Sequence, residues 1–381
     1  MSSVPGMPRT VTLALIDPSG TVLGALPPFA VPSPWRQEVA EVVEGARRHH
    51  GVDVTVLRLL AADGEHVTYL AECPAGTTAG LRPIEVDLAP EPRRPLYAQV
   101  GGPTASLAWA ADVLGPVCAV QLRTWNLSSI WRLEYGGGTA WLKEVPAFFA
   151  HEGAVIGWLA DAFPGFGPVP LAVDGGRMLL ADIPGEDRYG AGADERLAML
   201  RGLHEVQRAA VAAPVAGVPE LGVDRLATRI RSTVRRYGDP ALREALRGLD
   251  DRLAEVTACR VPDTLVHGDF HPGNVRGSVV LDWGDSFIGH PAFDLYRMLE
   301  GLPDSEAAHL VGRWCRWWRA AVRGCDPERA VALLEPVAAL RNAAVYAGFL
   351  DRIEPAEHCY HERDVPDWLA RARVLLGLPA A

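Results

Sequence analysis

Along the chain, apolar residues recur with a period of two in some stretches and with helical period in others, and the changes between them divide the sequence. Two strand-like runs open it, Val11–Ile16 and Val22–Leu26, split by the turn Asp17-Pro18-Ser19-Gly20. Trp35–His50 has helical periodicity and stops at Gly51, a residue suited to a C-cap. Val54–Leu60 and His66–Glu72 then read as a hairpin around Ala62-Asp63-Gly64. From 82 to 103 the pattern lapses into proline and charge, RPIEVDLAPEPRRP and then GGP, and 82–116 is expected to be a linker.

Strand-like runs return at Val117–Thr124, Ser129–Tyr135 and Thr139–Val145. A helix is predicted over Phe148–Ala162, then strands at Val169–Val173 and Arg177–Asp182. Further helices are predicted at Ala191–Val211, Val223–Tyr237 and Pro240–Thr257. A loop-rich region at 263–295 carries most of the polar signal, and the remainder is helical and rich in aromatics. The expectation is an α+β chain with no internal repeat. A small α/β domain (1–81) and the linker precede a β-rich segment (117–183) and a mostly helical segment (184–381).

With 381 residues, nearly half of them apolar, there is material for more than one core. No run of eighteen purely apolar residues suggests a membrane span, and MSSVPGMPRT lacks the basic-then-apolar order of a secretory leader. The six cysteines are scattered without a CxxC pair, which suits reduced thiols and a cytoplasmic location better than disulfides or zinc. A net charge of -10 argues against nucleic acid as a partner. Among 37 Lys+Arg residues there is a single lysine, Lys143. Where arginine serves nearly everywhere, one retained lysine points to a need for its compact ammonium.

The densest chemistry is His267-Gly268-Asp269-Phe270-His271-Pro272-Gly273-Asn274, after the apolar strand Thr264–Val266. A second apolar strand, Ser278–Leu281, leads into Asp282-Trp283-Gly284-Asp285. Two strands thus deliver carboxylates and an amide to one rim. Asp269 can orient an acceptor hydroxyl and take its proton. Asp282 and the amide oxygen of Asn274 are hard ligands of the kind magnesium prefers. Lys143, charged in the middle of an apolar strand, requires a partner. Glu152 on the next helix, near its core-facing stripe, is the natural one, and a lysine–glutamate pair can hold the α- and β-phosphates of a nucleotide. His267 is expected to hydrogen-bond the loop backbone, and Asp294 to brace the loop from the start of a helix. Gly136-Gly137-Gly138 lacks the Gly-Lys-Ser/Thr of a P-loop and reads as a hairpin turn. The better phosphate-covering loop is Trp125–Ser129, with its amides and the hydroxyls of Ser128 and Ser129. Trp314, Trp317, Trp318, Tyr346 and Phe349 have the spacing of core residues, although any of them can line an acceptor site.

HGDFHPGN, then LDWGD, then His290-Pro291-Ala292-Phe293-Asp294-Leu295 resembles the aminoglycoside phosphotransferase and choline kinase-like group over roughly residues 117–375. The resemblance implies a two-lobed protein-kinase-like fold. It also implies a magnesium-dependent phosphotransferase moving the γ-phosphoryl of ATP or GTP to a small-molecule hydroxyl. By matching position, Asp269 resembles the catalytic aspartate, Asn274 and Asp282 the magnesium ligands, and Lys143 with Glu152 the phosphate-positioning pair. Leu179–Asp182, which includes Ala181 and Asp182, and Ile183–Asp187 resemble the hinge that meets the nucleobase. Gly268 and Trp283 depart from protein kinases, and no APE-like segment is present, which favours a small acceptor over a protein. An antibiotic is the first expectation for that acceptor. Choline, homoserine or a sugar is the alternative, and a nucleotide-binding pseudokinase is another. Residues 1–81 resemble a Nudix fold in strand–helix–strand order, but Arg47-Arg48-His49-His50 stand where metal-binding glutamates would be. No metal-dependent hydrolysis is expected there.

Overall fold

The computed structural model describes residues 8–77 and 80–379; residues 1–7, read above for a leader, lie outside it. The chain divides into two compact units. The first contains residues 1–150, 170–182 and 352–360, and the second contains the rest.

The first unit holds two five-stranded sheets. One is built from β1 (Arg9–Ile16), β2 (Val22–Ala25), β3 (Phe29–Val31), β4 (Thr55–Asp63) and β5 (His66–Glu72), in the order β2-β1-β5-β4, with β3 also on β1. The predicted hairpin is present as the antiparallel β4–β5 pair, whereas β1 and β5 run parallel. Helix α1 (Ala40–His50) is shorter than its periodicity suggested, and Gly51 ends it in the left-handed conformation. Val42 and Ala46, one turn apart on α1, join Val11, Leu13, Leu15 and Tyr69 of the sheet in one buried cluster.

The second sheet has the order β6-β7-β8-β10-β9. Its strands are β6 (Cys118–Thr124), β7 (Ser129–Tyr135), β8 (Gly138–Glu144), β9 (Pro170–Asp174) and β10 (Arg177–Ala181). Tyr135 pairs with Gly138, so Gly136-Gly137 is a two-residue hairpin turn as expected. Part of the expected linker is instead a helix, α2 (Gly102–Leu114). Gly101 in the left-handed region and Pro103 in the first turn start it, and Ala110 buries against Trp131, Leu133 and Leu142 of this sheet. The sequence GGP therefore marks a helix start rather than an open tether.

The two sheets are stitched together. The Gln121 side chain exchanges hydrogen bonds with the backbone N–H and carbonyl of Val56 at 2.9 and 2.7 Å, and Arg123 pairs with Glu38. Residues 352–360 also belong here. Arg94 donates twice to Glu354, at 2.8 and 2.9 Å, and the Tyr360 ring lies 5.5 Å from that of Trp125. Glu357 is buried nearby, and burial pushes its carboxyl up to about 8.

The second unit is mostly helical. It comprises α3 (Glu152–Ala162), α4 (Ala193–Ala212), α5 (Val223–Tyr237), α6 (Pro240–Ala245) and α7 (Leu249–Ala258). The single helix predicted over Pro240–Thr257 is broken by a 3₁₀ turn at Leu246–Gly248, where glycine weakens the helix. Two short pairs follow: β11 (Thr264–Val266) with β14 (Phe287–Gly289), and β12 (Val275–Arg276) with β13 (Val279–Val280). Then come α8 (Ala292–Leu299), α9 (Asp304–Ala321), α10 (Pro327–Leu350) and α11 (Asp364–Leu375). Helix α10 is long and apolar enough to cross a membrane by length and composition, but 56% of its most apolar window is buried within the protein. It packs against α5, α7, α8, α9 and α11 as a core helix.

Candidate active site

Strands β11 and β14 hold the two ends of the polar loop. Gly268, just after β11, has φ +89, and a Cβ there would lie 2.2 Å from the carbonyl oxygen of Asp285. Only glycine fits, which explains locally why arginine is absent at this position. Asp294, at the start of α8, is buried and accepts the backbone N–H groups of His267 and Gly268, each at 2.9 Å. Gln207 also donates to it at 3.0 Å. Burial outweighs these bonds and raises the Asp294 carboxyl to about 7. The bracing role expected for Asp294 is thus present in the geometry.

His267 is fully buried, and its Nε2 lies 2.8 Å from the carbonyl of Leu281. Its Nδ1 accepts the N–H of Asp269 at 3.3 Å. These two bonds fix the tautomer, with Nε2 carrying the proton. Burial lowers the imidazole to about 4, so it stays neutral and acts as scaffold.

Asp269 keeps a partly exposed side chain, at 36%. Burial raises its pKa, but the hydrogen bond from His271 and the charge of Arg297 outweigh this and hold it well below the usual carboxylate range. Arg297 Nε donates to Oδ1 at 2.8 Å, and His271 Nε2 lies 3.4 Å from Oδ2. Asn274 folds back on the same residue, its amide nitrogen donating to the Asp269 carbonyl at 2.9 Å. That bond leaves the amide oxygen as the atom able to face a cation. The N–H of Leu281 donates to the Asn274 carbonyl at 2.8 Å, which brings Asp282 alongside. Asp282 is exposed and left-handed, with φ 64 and ψ 60, a conformation non-glycine residues seldom adopt. Glu152, buried at the start of α3, accepts the N–H of Trp283 at 3.1 Å. Glu152, Asp269, Asn274 and Asp282 are therefore brought together within the second unit.

The remaining expected residues lie on the β6–β10 sheet of the first unit. Lys143 is half-buried on β8, opposite Ile130 and Met178. Ala181 ends β10, and Asp182 accepts the indole N–H of Trp141 at 2.7 Å. Ser128 and Ser129 are buried. Their hydroxyls accept the indole N–H groups of Trp125 and Trp131, at 3.0 and 3.1 Å. Tyr97 donates to the Trp125 carbonyl at 2.8 Å, which fixes this loop from the expected linker region.

A cavity lies beside Asp269, and Tyr346 and Phe349, named from the sequence as able to line an acceptor site, do line it; Arg297, Arg341 and Trp368 carried no such signal. The cavity is lined by Gly268, Asp285, Arg297, Arg341, Tyr346 and Trp368 among others. Asn342, Val345, Tyr346 and Phe349 reach it from one stripe of α10 at i, i+3, i+4 and i+7. Arg341 is buried, stacks over the Phe287 ring at 4.5 Å and donates to the Gly268 carbonyl at 3.0 Å. Burial lowers its pKa, opposed by the nearby Asp285 and Asp294. Asp285 is raised to about 7 by burial and by Asp269. Trp314 and Trp318 are core residues, Trp318 packed against His204 of α4 and Trp314 against Trp318.

This loop, with a part-exposed aspartate braced by buried neighbours and two hard oxygen donors beside it, has the composition of a phosphoryl-transfer site. Residues 126–332 match the model of the phosphotransferase enzyme family, more than half of the chain, and the protein belongs to that family. It is a kinase of small-molecule hydroxyls. The fold is similar to that of choline kinase LicA from Streptococcus pneumoniae, at 14% identity and TM-score 0.56, covering 72% of this chain and 98% of that one. An ethanolamine kinase from Plasmodium vivax is similar at 10% identity and TM-score 0.52, covering 78% and 92%. A macrolide 2'-phosphotransferase from Brachybacterium faecium aligns at 18% identity and TM-score 0.49, covering 73% and 99%. No protein of curated function matches the sequence. The fold is thus the mixed α+β, protein-kinase-like one. The Nudix resemblance of residues 1–81 is not supported. The family match leaves residues 1–125 out, and α1 carries Arg47, Arg48, His49 and His50 where acidic ligands would be needed.

Proposed function

We propose that this kinase moves the γ-phosphoryl group of ATP or GTP, with magnesium, to a hydroxyl of a small molecule. The observation that carries the reading is the loop in which Asp269 is braced by His267 and Asp294 and adjoined by Asn274 and Asp282. Asp269 orients the acceptor hydroxyl and takes its proton as the new O–P bond forms and the β–γ bridge bond breaks, releasing the nucleoside diphosphate. Asn274 and Asp282 would hold the magnesium ion. Their oxygens suit it, and two protein ligands leave room for the phosphates and water that it keeps. When bound, the metal neutralises charge on the transferring phosphoryl group. Lys143 serves the α- and β-phosphates, and Glu152 steadies the segment that carries Asp282. The amides of Trp125–Ser129 cover the phosphates, and Ala181 and Asp182 stand at the nucleobase. Free thiols at Cys73, Cys118, Cys259, Cys315 and Cys325 support a cytoplasmic setting.

An antibiotic, in a resistance or self-resistance role, is the acceptor suggested by family analogy. A compact metabolic alcohol such as choline, homoserine or a sugar is the second reading. It is favoured by the charge of the cavity beside Asp269, where Arg297 and Arg341 offset the carboxylates that a polycation would need. A mass-spectrometric screen separates the two. Protein, magnesium and ATP or GTP are mixed with aminoglycosides, macrolides, nucleoside antibiotics, choline, homoserine and sugars. A phosphoryl mass gain on one class identifies it. Nucleotide binding without transfer to any acceptor favours a binding module instead.

A further inference from the structure

A groove of about 310 Å³ in the second unit is lined by Arg231, Val234, Arg235, Arg243, Leu246 and Arg247. None of these residues belongs to the site described above. Arg231 and Arg235 are one turn apart on α5. Arg243 and Arg247 are four residues apart along α6 and the 3₁₀ turn after it. Each pair therefore presents two guanidiniums to one side. Val234 and Leu246 are buried and form an apolar floor.

The positive charge here is only partly matched. Arg231 lies 2.7 Å from Asp250, and Arg247 lies 2.8 Å from Glu244. Both pairs are solvent-exposed and hence weak. Arg243 donates to the Arg235 carbonyl at 3.3 Å, and among the described residues neither Arg243 nor Arg235 has a carboxylate partner. Asp239 caps α6 and pairs with Arg373, and Asp351 takes Arg236. Of the four guanidiniums that line the groove, two are paired with exposed carboxylates, in a chain whose net charge is -10.

We propose that this groove is a second ligand site, which binds a small phosphorylated molecule through its phosphate or pyrophosphate group. Planar guanidinium forks match phosphate oxygens with paired hydrogen bonds, and an ion of two or more charges can satisfy the surplus that a single carboxylate leaves. The groove has the size of small-molecule sites. The acidic character of the rest of the chain disfavours an extended polyanion, which would meet repulsion beyond the groove.

The test is calorimetric titration with pyrophosphate at low salt, after the nucleotide site is filled with magnesium and a non-hydrolysable ATP analogue. The wild type is expected to bind one equivalent, more weakly as salt rises. Arg235→Ala with Arg243→Ala should weaken binding by about tenfold or more, with Arg235→Lys intermediate and phosphotransferase activity unchanged. No binding by the wild type, or equal binding by the double variant, overturns the proposal. Arginine-dependent pelleting with anionic phospholipid vesicles, without pyrophosphate binding, overturns it in favour of a membrane surface. Because the readout is binding at filled nucleotide sites, its failure leaves the phosphotransfer reading untouched.

Discussion

Two loops place polar side chains in buried positions, one between β11 and β14 and one between β6 and β7, and they use them differently. In the first, the buried groups serve the backbone. Asp294, reaching in from α8, accepts two N–H groups of the loop, and His267 ties Asp269 to Leu281. The carboxylates of Asp269 and Asp282 are left reachable. In the second, Ser128 and Ser129 are themselves buried and turned to indoles, and Tyr97 holds the backbone from outside. Burial thus separates scaffold from chemistry. The first loop offers side chains to a ligand, whereas the second offers chiefly its main chain.

Substitutions can break or sharpen that contrast. Removing a metal ligand should have the largest effect: Asp282→Ala is expected to lower kcat by about 10²-fold or more and to raise the magnesium requirement, read from rates against magnesium concentration. Gly268→Ala must push Asp285 away, and a displacement near 1 Å can cost about 10²-fold in kcat. Its nucleotide affinity should be unchanged. Asp294→Ala leaves two buried N–H groups without their acceptor, at about 1–3 kcal/mol each, visible as a fall in Tm of several degrees. Retention of the wild-type Tm would show that the brace is dispensable.

A smaller, pH-dependent effect concerns Glu357 of the first unit. Its folded pKa of about 8 exceeds its unfolded value, so its contribution to stability is fully present below about pH 4.5. That contribution is lost as pH rises through about 8. Glu357→Gln should therefore match the wild type near the acid end and exceed it in Tm near pH 9, and a constant difference across that range would contradict the assignment. Smallest of all, Ser129→Ala should change the nucleotide KM by less than about threefold, since its hydroxyl is turned to Trp131. A tenfold rise would mean that the second loop, like the first, works through its side chains.

The sequence made some of this legible and hid the rest for physical reasons. HGDFHPGN and LDWGD are short strings six residues apart, each following an apolar strand, so Asp269, Asn274 and Asp282 could be expected at one rim, and the family resemblance gave them their roles. Helix α2 was hidden because Gly101, Gly102 and Pro103 read as a break, whereas here they begin a helix. The interruption of Pro240–Thr257 falls at Gly248, whose weak helix preference helical period alone does not weigh. Arg297 and Arg341 carried no signal, being two arginines among many. Only the packing of α8 and α10 against the loop distinguishes them. The burial of Ser128 and Ser129 was likewise invisible, because it depends on indoles that the hairpin brings back over them.

In the proposed reaction Asp269 takes the acceptor proton. The direct test is the kcat of Asp269→Asn with an identified acceptor, measured beside nucleotide and magnesium binding by the same protein. The account predicts a fall of about 10²- to 10⁴-fold in kcat with binding retained. Turnover near the wild-type rate would contradict it.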